Sequence, residues 1–469
     1  MAKFSFFSMN ELLASPRLRP IVERLHPAAV TAIVKGVYED VVQEMSSAAA
    51  ERRTPELAEL TDKILARLQD VEKKENSLLI DASGVIFKSL RSEPHLSRRA
   101  IDEMIWQLDA SIVGFAPDEN EQLVNTDLWV RDIFPSAKKI AADFCSMTGV
   151  EDVLFFGSPQ QASIALIQAY CREKFLGIAR RDLFEDPDGN RFADQIFLQK
   201  SQIREVGASN RARLPDFLEL CNPDTGLFWL ASGVHSDMVP TLEPDELTSL
   251  HDNARLYSIP VVGRYDFAPL LSMPKELSSL IPTISELNLF DYDLILVGGG
   301  QLLGGPNCGI IAGRKSYLEP LRKAGFDSLF PPNRTDLAGF AETVNISRSR
   351  DRAEQEIPII RMVSGPKANL QNRAERLAPQ LNSSKVIASA EPTPCETLLY
   401  PGALNARIPS VGIRLIPAKN SAAELESSLE KGKPGLKGTV KDGTIVVDLR
   451  TVLPQWDQVI LTIFEKLYG

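Results

Sequence analysis

The run most suited to chemistry in this chain is Val297-Gly298-Gly299-Gly300-Gln301-Leu302-Leu303-Gly304-Gly305-Pro306-Asn307-Cys308-Gly309. A phosphate-binding P-loop needs a Lys followed by Ser or Thr after its second glycine, to neutralise phosphate and hold magnesium. Gly305-Pro306 stands there, which excludes that reading. A dinucleotide fingerprint wants a glycine three positions after Gly300, where Leu303 stands. What remains is a strand end and a tight turn that brings backbone close to a neighbour. His26, His95, His235 and His251 form no sequence-local triad or metal pair, and His235 reads as a loop residue. Cys145, Cys171, Cys221, Cys308 and Cys395 lie far apart with no CxxC or Cys/His spacing. Neither a disulfide frame nor a metal site is predicted, and reduced, buried thiols are expected.

The elements that must position this turn follow from apolar patterning. Short runs at Val153–Phe156, Leu227–Leu230, Ile259–Val262 and Leu294–Val297 alternate with amphipathic stretches such as Ser163–Phe175 and Asp245–Tyr257. Buried strands separated by helices imply parallel pairing with right-handed crossovers, hence an α/β, doubly wound sheet. Ligand sites in such sheets lie beyond the carboxyl ends of the strands. Upstream, Ser8-Met9-Asn10-Glu11 offers a helix start, and Pro27 opens a helix with Val30, Ile33, Val34, Val37, Val41 and Val42 at three-to-four spacing. From Pro55, the residues Leu57, Leu60, Ile64, Leu65 and Leu68 mark another helical face. Beyond residue 336 the texture changes. An Arg-rich helical segment (Asn345–Met362) leads to a further helix, a Ser/Ala/Pro-rich stretch at 383–394, and strands around Ser410–Ile416 and Thr444–Leu449. The expected division is an N-terminal helical domain (1–76), a large α/β domain (77–335) and a small C-terminal α+β domain (336–469).

Composition bounds the rest. The chain has 469 residues, 44 % hydrophobic and 24 % charged, close to ordinary globular usage, which excludes collagen-like, coiled-coil and disordered classes. A net charge of −10 advertises neither a nucleic acid nor an anionic membrane as a partner. No segment approaches the roughly 20 apolar residues of a membrane helix, so a soluble cytoplasmic protein is expected.

Several stretches resemble, in the same order, the bacterial selenocysteine synthase family, the L-seryl-tRNA(Sec) selenium transferases. Gln301 to Gly313 is similar to the family's segment around its cofactor lysine, Ser-Gly-Asp-Lys-Leu-Leu-Gly-Gly-Pro-Gln-Ala-Gly. Asn10-Glu11-Leu12-Leu13 with Ile21-Val22-Glu23-Arg24 resembles its N-terminal helices, and Thr148-Gly149-Val150-Glu151-Asp152 its Thr-Gly-Ala-Glu-Asp. Glu205-Val206-Gly207-Ala208-Ser209-Asn210-Arg211 looks like Glu-Val-Gly-Thr-Thr-Asn-Arg, and Asp442-Gly443 with Val447-Asp448-Leu449-Arg450-Thr451-Val452 resembles the terminal strand pair. The resemblance implies the large fold-type I domain of pyridoxal-phosphate (PLP) enzymes with a small C-terminal domain. It further implies N-terminal helices that engage tRNA and a homo-oligomer, either a dimer or a ring of dimers. Up to Glu75, however, 11 basic residues face 12 acidic ones, which argues against strong, salt-sensitive tRNA binding.

The departures from the family fall where the resemblance places the chemistry. Gln301 stands at the Schiff-base lysine, and an amide nitrogen shares its lone pair with its carbonyl and cannot attack an aldehyde. Gln301 then serves packing or hydrogen bonding. The family's Asn-Asn-Asn-Ala-Ala-Ala turn, which receives the cofactor phosphate, is represented by Gly157-Ser158-Pro159-Gln160-Gln161-Ala162, where Pro159 has no N–H and Gly157 and Ser158 could support a weakened anion site. Its His-Thr-Asn-Leu-Gly-Arg becomes Lys88-Ser89-Leu90-Arg91-Ser92-Glu93, with Glu93 in place of a cation. Of an Arg-x-x-Lys pair only Arg334 persists, as a candidate for substrate anion. For the carboxylate facing the pyridine nitrogen, either Arg264 or Asp266 takes the position, depending on a two-residue shift. Vestigial cofactor-binding candidates are therefore Gly157, Ser158, Asp266 and Gln301; no catalytic residue, cofactor or metal is expected, PLP being the cofactor that the resemblance implies. Two rivals stand beside this reading. One is an active selenium or sulfur transferase using a relocated lysine (Lys88, Lys315 or Lys323), and the other is a non-catalytic RNA-binding or scaffold protein.

Overall fold

Helical periodicity and strand runs resolve into two separate units in the computed structural model. It describes residues 17–18, 27–47, 57–72, 78–89, 92, 94–109, 137–185, 189, 191–232, 241–290, 292–402, 405–419 and 421–466. One unit comprises residues 1–79 with 433–435, the other the remainder. In the first, Pro27 opens helix α1 (Pro27–Ser47), a position where its missing N–H has no intrahelical partner to lose. Val30, Val34 and Val41 of α1 are buried with Leu60 and Ile64 of α2 (Leu57–Glu72) and with Leu18. The expected start at Ser8–Glu11 lies outside the described residues, as does His26.

The second unit is built on a seven-stranded sheet. Helix α3 (Arg98–Asp109) and α4 (Ala137–Thr148) precede β1 (Asp152–Phe156), α5 (Pro159–Tyr170), β2 (Phe175–Ala179), β3 (Gln202–Val206) and β4 (Thr225–Ser232). Then follow α6 (Pro244–Arg255), β5 (Val261–Tyr265), β6 (Leu294–Gly298) and β7 (Gly309–Gly313). The strand order is β1-β7-β6-β5-β4-β2-β3, with only β7 antiparallel to its neighbours. This is the expected α/β sheet, and its strands read as continuous apolar runs because both faces are covered. In β4, Leu227, Trp229 and Ala231 enter one core and Phe228 and Leu230 the other. Helix α5 covers the first face with Ala162, Ala165 and Leu166, and α6 covers the second with Leu247, Leu250 and Ala254.

The chain continues through α7 (Lys315–Lys323) into α8 (Arg334–Ser347), α9 (Arg350–Glu356) and α10 (Pro358–Ser364). The Arg-rich helical segment expected over Asn345–Met362 is thus divided. Ser349 caps α9 by accepting the Arg352 N–H, and Pro358 occupies the first turn of α10. Helix α11 (Lys367–Leu381), β8 (Ile387–Leu398), β9 (Arg407–Pro417), α12 (Ala422–Glu430), β10 (Thr439–Lys441), β11 (Thr444–Asp448) and α13 (Asp457–Lys466) complete the fold. The four-stranded antiparallel sheet has the order β10-β11-β9-β8. Leu377, Leu381, Leu425, Leu429, Ile460 and Phe464 pack against its apolar residues.

The Pro-rich stretch at 383–394 is largely strand, because β8 is an edge. Pro392 and Pro394 face Ile413 and Val411 in register. The N–H groups of the same parity, at Ala390 and Leu398, leave the ladder to bond Asn382 Oδ1 and the Gly84 carbonyl at 2.5 and 2.8 Å. The prolines therefore sit where no β9 partner is lost. Asp448 joins the strands: its carboxylate accepts from the Thr397 and Ser410 hydroxyls at 2.6 Å each and from the Arg450 N–H at 2.9 Å.

At the amino ends of the large sheet's strands the polar groups are closely matched. Asp293, 1 % exposed, accepts the Val261 N–H at 2.9 Å and lies 3.2 Å from His251 Nε2 and 3.5 Å from Arg314 Nε. Burial pushes its carboxyl above the usual range against the pull of these partners. Nearby in the same edge, Arg322 holds both oxygens of Asp152 at 2.5 and 2.8 Å.

Candidate functional site

Strands β1, β4, β5 and β6 end at Phe156, Ser232, Tyr265 and Gly298, and the ladder registers align these ends. The segments that follow carry Gly157 and Ser158, Asp266 and Gln301. The sheet thus brings all four to its carboxyl edge, where an open α/β sheet places ligands. Residues 233–240, with His235, and Leu90, Arg91 and Glu93 lie outside the described residues.

The turn between β6 and β7 is closed by its own backbone. Gly299 N–H donates to the Cys308 carbonyl at 2.8 Å and Gly305 N–H to the Gly299 carbonyl at 3.1 Å. Gln301 opens a single 3₁₀ turn at φ 41°, a left-handed conformation uncommon for a residue with a side chain, and is 6 % exposed. Such strain costs on the order of 1–3 kcal/mol and persists only where the surroundings impose it. A methyl group on Gly298 would stand 2.6 Å from Gln301 Oε1 and 3.4 Å from Pro159 Cγ, so the Gln301 side chain and the start of α5 both border Gly298. Gly309 in turn packs on the Ser158 carbonyl, with no room for a Cβ.

The start of α5 has committed much of its donor capacity. Gly157 N–H donates to the Phe330 carbonyl at 3.1 Å, Gln161 N–H to Ser158 Oγ at 3.2 Å and Ala162 N–H to the Ser158 carbonyl at 3.1 Å. Pro159 has none to give. Gln161 Oε1 folds over Gly157 and is buried without a donor, and Asn307 Oδ1 is buried without one too. Acceptor oxygens, rather than the amides a phosphate needs, have gathered here.

Arg264 and Asp266, alternatives in the sequence, are partners. Arg264 Nε and Nη2 both donate to Asp266 Oδ1, at 3.2 and 2.9 Å, while Asp266 Oδ2 is buried with no partner. The guanidinium lies over Phe192 and Phe184, 5.7 and 5.8 Å from the ring centres. Arg264 lies on β5 and Asp266 in the bend just past its end, and the close spacing of opposite charges was the available signal. The Pro331 carbonyl is 3.2 Å from where a Gly157 Cβ would stand, so the segment leading to Arg334 borders the site. Arg334 itself donates from Nη2 to the Gln107 carbonyl of α3 at 2.9 Å.

The candidate amines are solvent-facing. Lys88, Lys315 and Lys323 are exposed, Lys88 is paired with Asp81, and Lys315 follows β7 at the sheet's amino edge. The side chains closest to the turn's glycines include Gln301, Pro159, Cys308, Phe340, Pro94 and Ile357. Burial pushes the Cys308 thiol up to about 12, which leaves it unreactive at neutral pH. Among the described residues no group of three His, Cys, Asp or Glu could hold a metal ion, and no helix is long and apolar enough to cross a membrane.

Comparison with known proteins places this geometry. The family described as SelA, L-seryl-tRNA selenium transferase, matches residues 134–453. The L-seryl-tRNA(Sec) selenium transferase of Carboxydothermus hydrogenoformans is 23 % identical over 452 residues, 95 % of this chain and 94 % of that one. The protein of the same name from Rhizobium meliloti is 24 % identical over 455 residues, covering 94 % and 93 %. Among solved structures, a D-glucosaminate-6-phosphate ammonia-lyase superposes with a TM-score of 0.56 at 14 % identity, covering 89 % of this chain and all of that one, a likeness of fold. The architecture is that of the fold-type I PLP enzymes. A match across most of its length shows that the chain belongs to the L-seryl-tRNA selenium transferase family.

Proposed function

We propose that this protein keeps the family's architecture without its Schiff-base chemistry. The observation that carries the proposal is Gln301, buried in a strained turn at the carboxyl edge of the sheet, at the position that the resemblance gives to the cofactor lysine. PLP is anchored in such enzymes as an imine, and only a primary amine can form one. The residues present do not fit that requirement. The exposed positions of Lys88, Lys315 and Lys323 speak against a relocated lysine, because a Schiff-base amine must be held against the aldehyde with its charge suppressed. The orphaned oxygens of Gln161 and Asn307 speak against a well-made phosphate cradle. No catalytic step is assigned, and Gly157, Ser158, Asp266 and Gln301 stand as remnants of a cofactor pocket.

The test is a titration of the purified full chain with PLP, followed by borohydride reduction and peptide mapping. No reducible absorbance band and no labelled lysine are expected in the natural protein. Gln301→Lys, which restores an amine, is the matched comparison and is expected to give the band. A lysine labelled in the natural protein would overturn the proposal.

The printed names of the relatives favour one rival, an active transferase on seryl-tRNA. Transfer of labelled selenium to seryl-tRNA distinguishes it, and none is expected here. From the family we carry over, as part of the same proposal, a cytoplasmic homo-oligomer; tRNA contact by the 1–76 region belongs to the RNA-binding rival, which the near-balanced charge of that region disfavours. The 77–335 region then holds the remnant pocket, and 336–469 acts as the small domain.

A further inference from the structure

A cavity of about 530 Å³ opens between α9, α10 and α11 on one side and residues 449–454 on the other. It draws on none of the residues of the carboxyl-edge site. Its size is that of a small-molecule pocket. Arg361, Arg373, Arg376 and Arg450 line it, with Glu354 the one acidic residue among the lining side chains.

The four arginines are not equally compensated. Arg373 and Arg376 share a single carboxylate, Asp457, and Glu354 is paired with Arg350 outside the cavity. Arg361 is exposed and its side chain has no partner. Arg450 is 4 % exposed: Nη1 donates to the Met362 and Gly365 carbonyls at 2.8 and 2.9 Å and Nη2 to the Pro409 carbonyl at 2.7 Å, while Nε is buried with no acceptor. Asp448, two residues back, spends its oxygens on Thr397, Ser410 and the Arg450 main chain rather than on the guanidinium. A buried cation hydrogen-bonded to carbonyls rather than to a carboxylate, with Asp448 acting on it only through space, stands beside a partnerless arginine and a two-to-one arginine cluster and leaves excess positive charge around an accessible space. Arginine's planar fork suits phosphate and carboxylate. Ser364, Asn369 and Asn372 add polar groups, and Met362, Leu370 and Leu453 an apolar wall.

We propose that this cavity binds a small organic anion, a phosphate or carboxylate carried on a body with one apolar face, with Arg361 gripping the anion and Arg450 supplying buried positive charge behind it. The pocket shares no lining residue with the remnant cofactor site, so its binding can be measured without PLP.

The experiment is isothermal titration calorimetry on the full chain with phenyl phosphate, 3-phenylpropionate and inorganic phosphate, at ionic strength matched with sodium chloride. At least one of the organic anions is expected to saturate, more tightly than inorganic phosphate. Arg361→Gln, a surface change, is expected to weaken that binding by about tenfold, the worth of a charge-assisted hydrogen bond. Asn369→Trp, which fills the cavity from the exposed start of α11, is expected to abolish it. The urea midpoints of both variants should match that of the natural protein, so that loss of binding is not loss of fold. The proposal is overturned if no organic anion saturates by about 10 mM, a free energy too small for a built site. Binding that is unchanged in both variants, or equal for inorganic phosphate and the organic anions, overturns it as well.

Discussion

The two ends of the large sheet handle buried charge in opposite ways. At the amino end, Asp293 meets the Val261 N–H, His251 and Arg314, and Asp152 is held through both oxygens by Arg322. At the carboxyl end, Asp266 satisfies one oxygen with Arg264 and buries the other alone, and Gln161 and Asn307 each bury an oxygen with no donor. An unsatisfied buried polar atom costs about 1–3 kcal/mol, so selection for stability alone would fill these sites as it filled the other end. The amino end is organised as a fold support. The carboxyl end leaves the oxygens of Asp266, Gln161 and Asn307 unfinished around the turn that carries Gln301.

That contrast can be broken most severely at Asp293. Asp293→Ala removes the acceptor of the Val261 N–H and the carboxylate beside His251 and Arg314, leaves a cavity, and is expected to cost about 3 kcal/mol in urea unfolding. A loss below about 1 kcal/mol would mean the amino-end network supports little. A smaller effect, with a pH signature, is expected at Asp152. Burial alone would raise its carboxyl, but the hydrogen bonds and charge of Arg322 outweigh burial and hold it below the usual range. The folded state therefore favours the ionised form. Its contribution is present above the ordinary aspartate range and is lost as pH falls through the lowered folded-state value. Asp152→Asn should lower stability by about 1 kcal/mol at neutral pH, the pair being partly solvated, and the difference from the natural protein should shrink as pH falls below the ordinary aspartate range through the lowered folded-state value. Parallel acid limbs in the two proteins would remove Arg322 from the account. The smallest change sharpens the other side. Gln161→Met deletes the orphaned oxygen at nearly constant volume and is expected to raise the urea-derived stability by about 0.5 kcal/mol. A fall of more than about 1 kcal/mol would show that this amide has a partner at the carboxyl end after all.

The sequence made the sheet legible where strands are buried on both faces. Val153–Phe156, Leu227–Leu230 and Leu294–Val297 are such runs, and each is strand. Strand β3 has no such signature, because Gln202, Arg204 and Glu205 are exposed at the sheet's edge. Strand β8 was hidden by prolines, which mark an edge as readily as a loop. The gathering of Gly157, Ser158, Asp266 and Gln301 at one edge followed from where strands stop. Their partners did not. The Arg264–Asp266 pair depends on how the chain bends just past the end of β5, and the orphaned oxygens of Gln161 and Asn307 depend on backbone from distant segments. The four arginines of the anion pocket come from α10, α11 and the chain after β11, a separation that no local pattern spans.

The prolines of β8 have a consequence for the protein in a crowded cell. A sheet margin twelve residues long is an invitation to pairing with a stranger. Pro392 and Pro394 withdraw two of its outward hydrogen-bond donors, and Asn382 and Gly84 occupy two more from within the chain. Sheet growth from neighbour to neighbour across this margin therefore meets a blunted border.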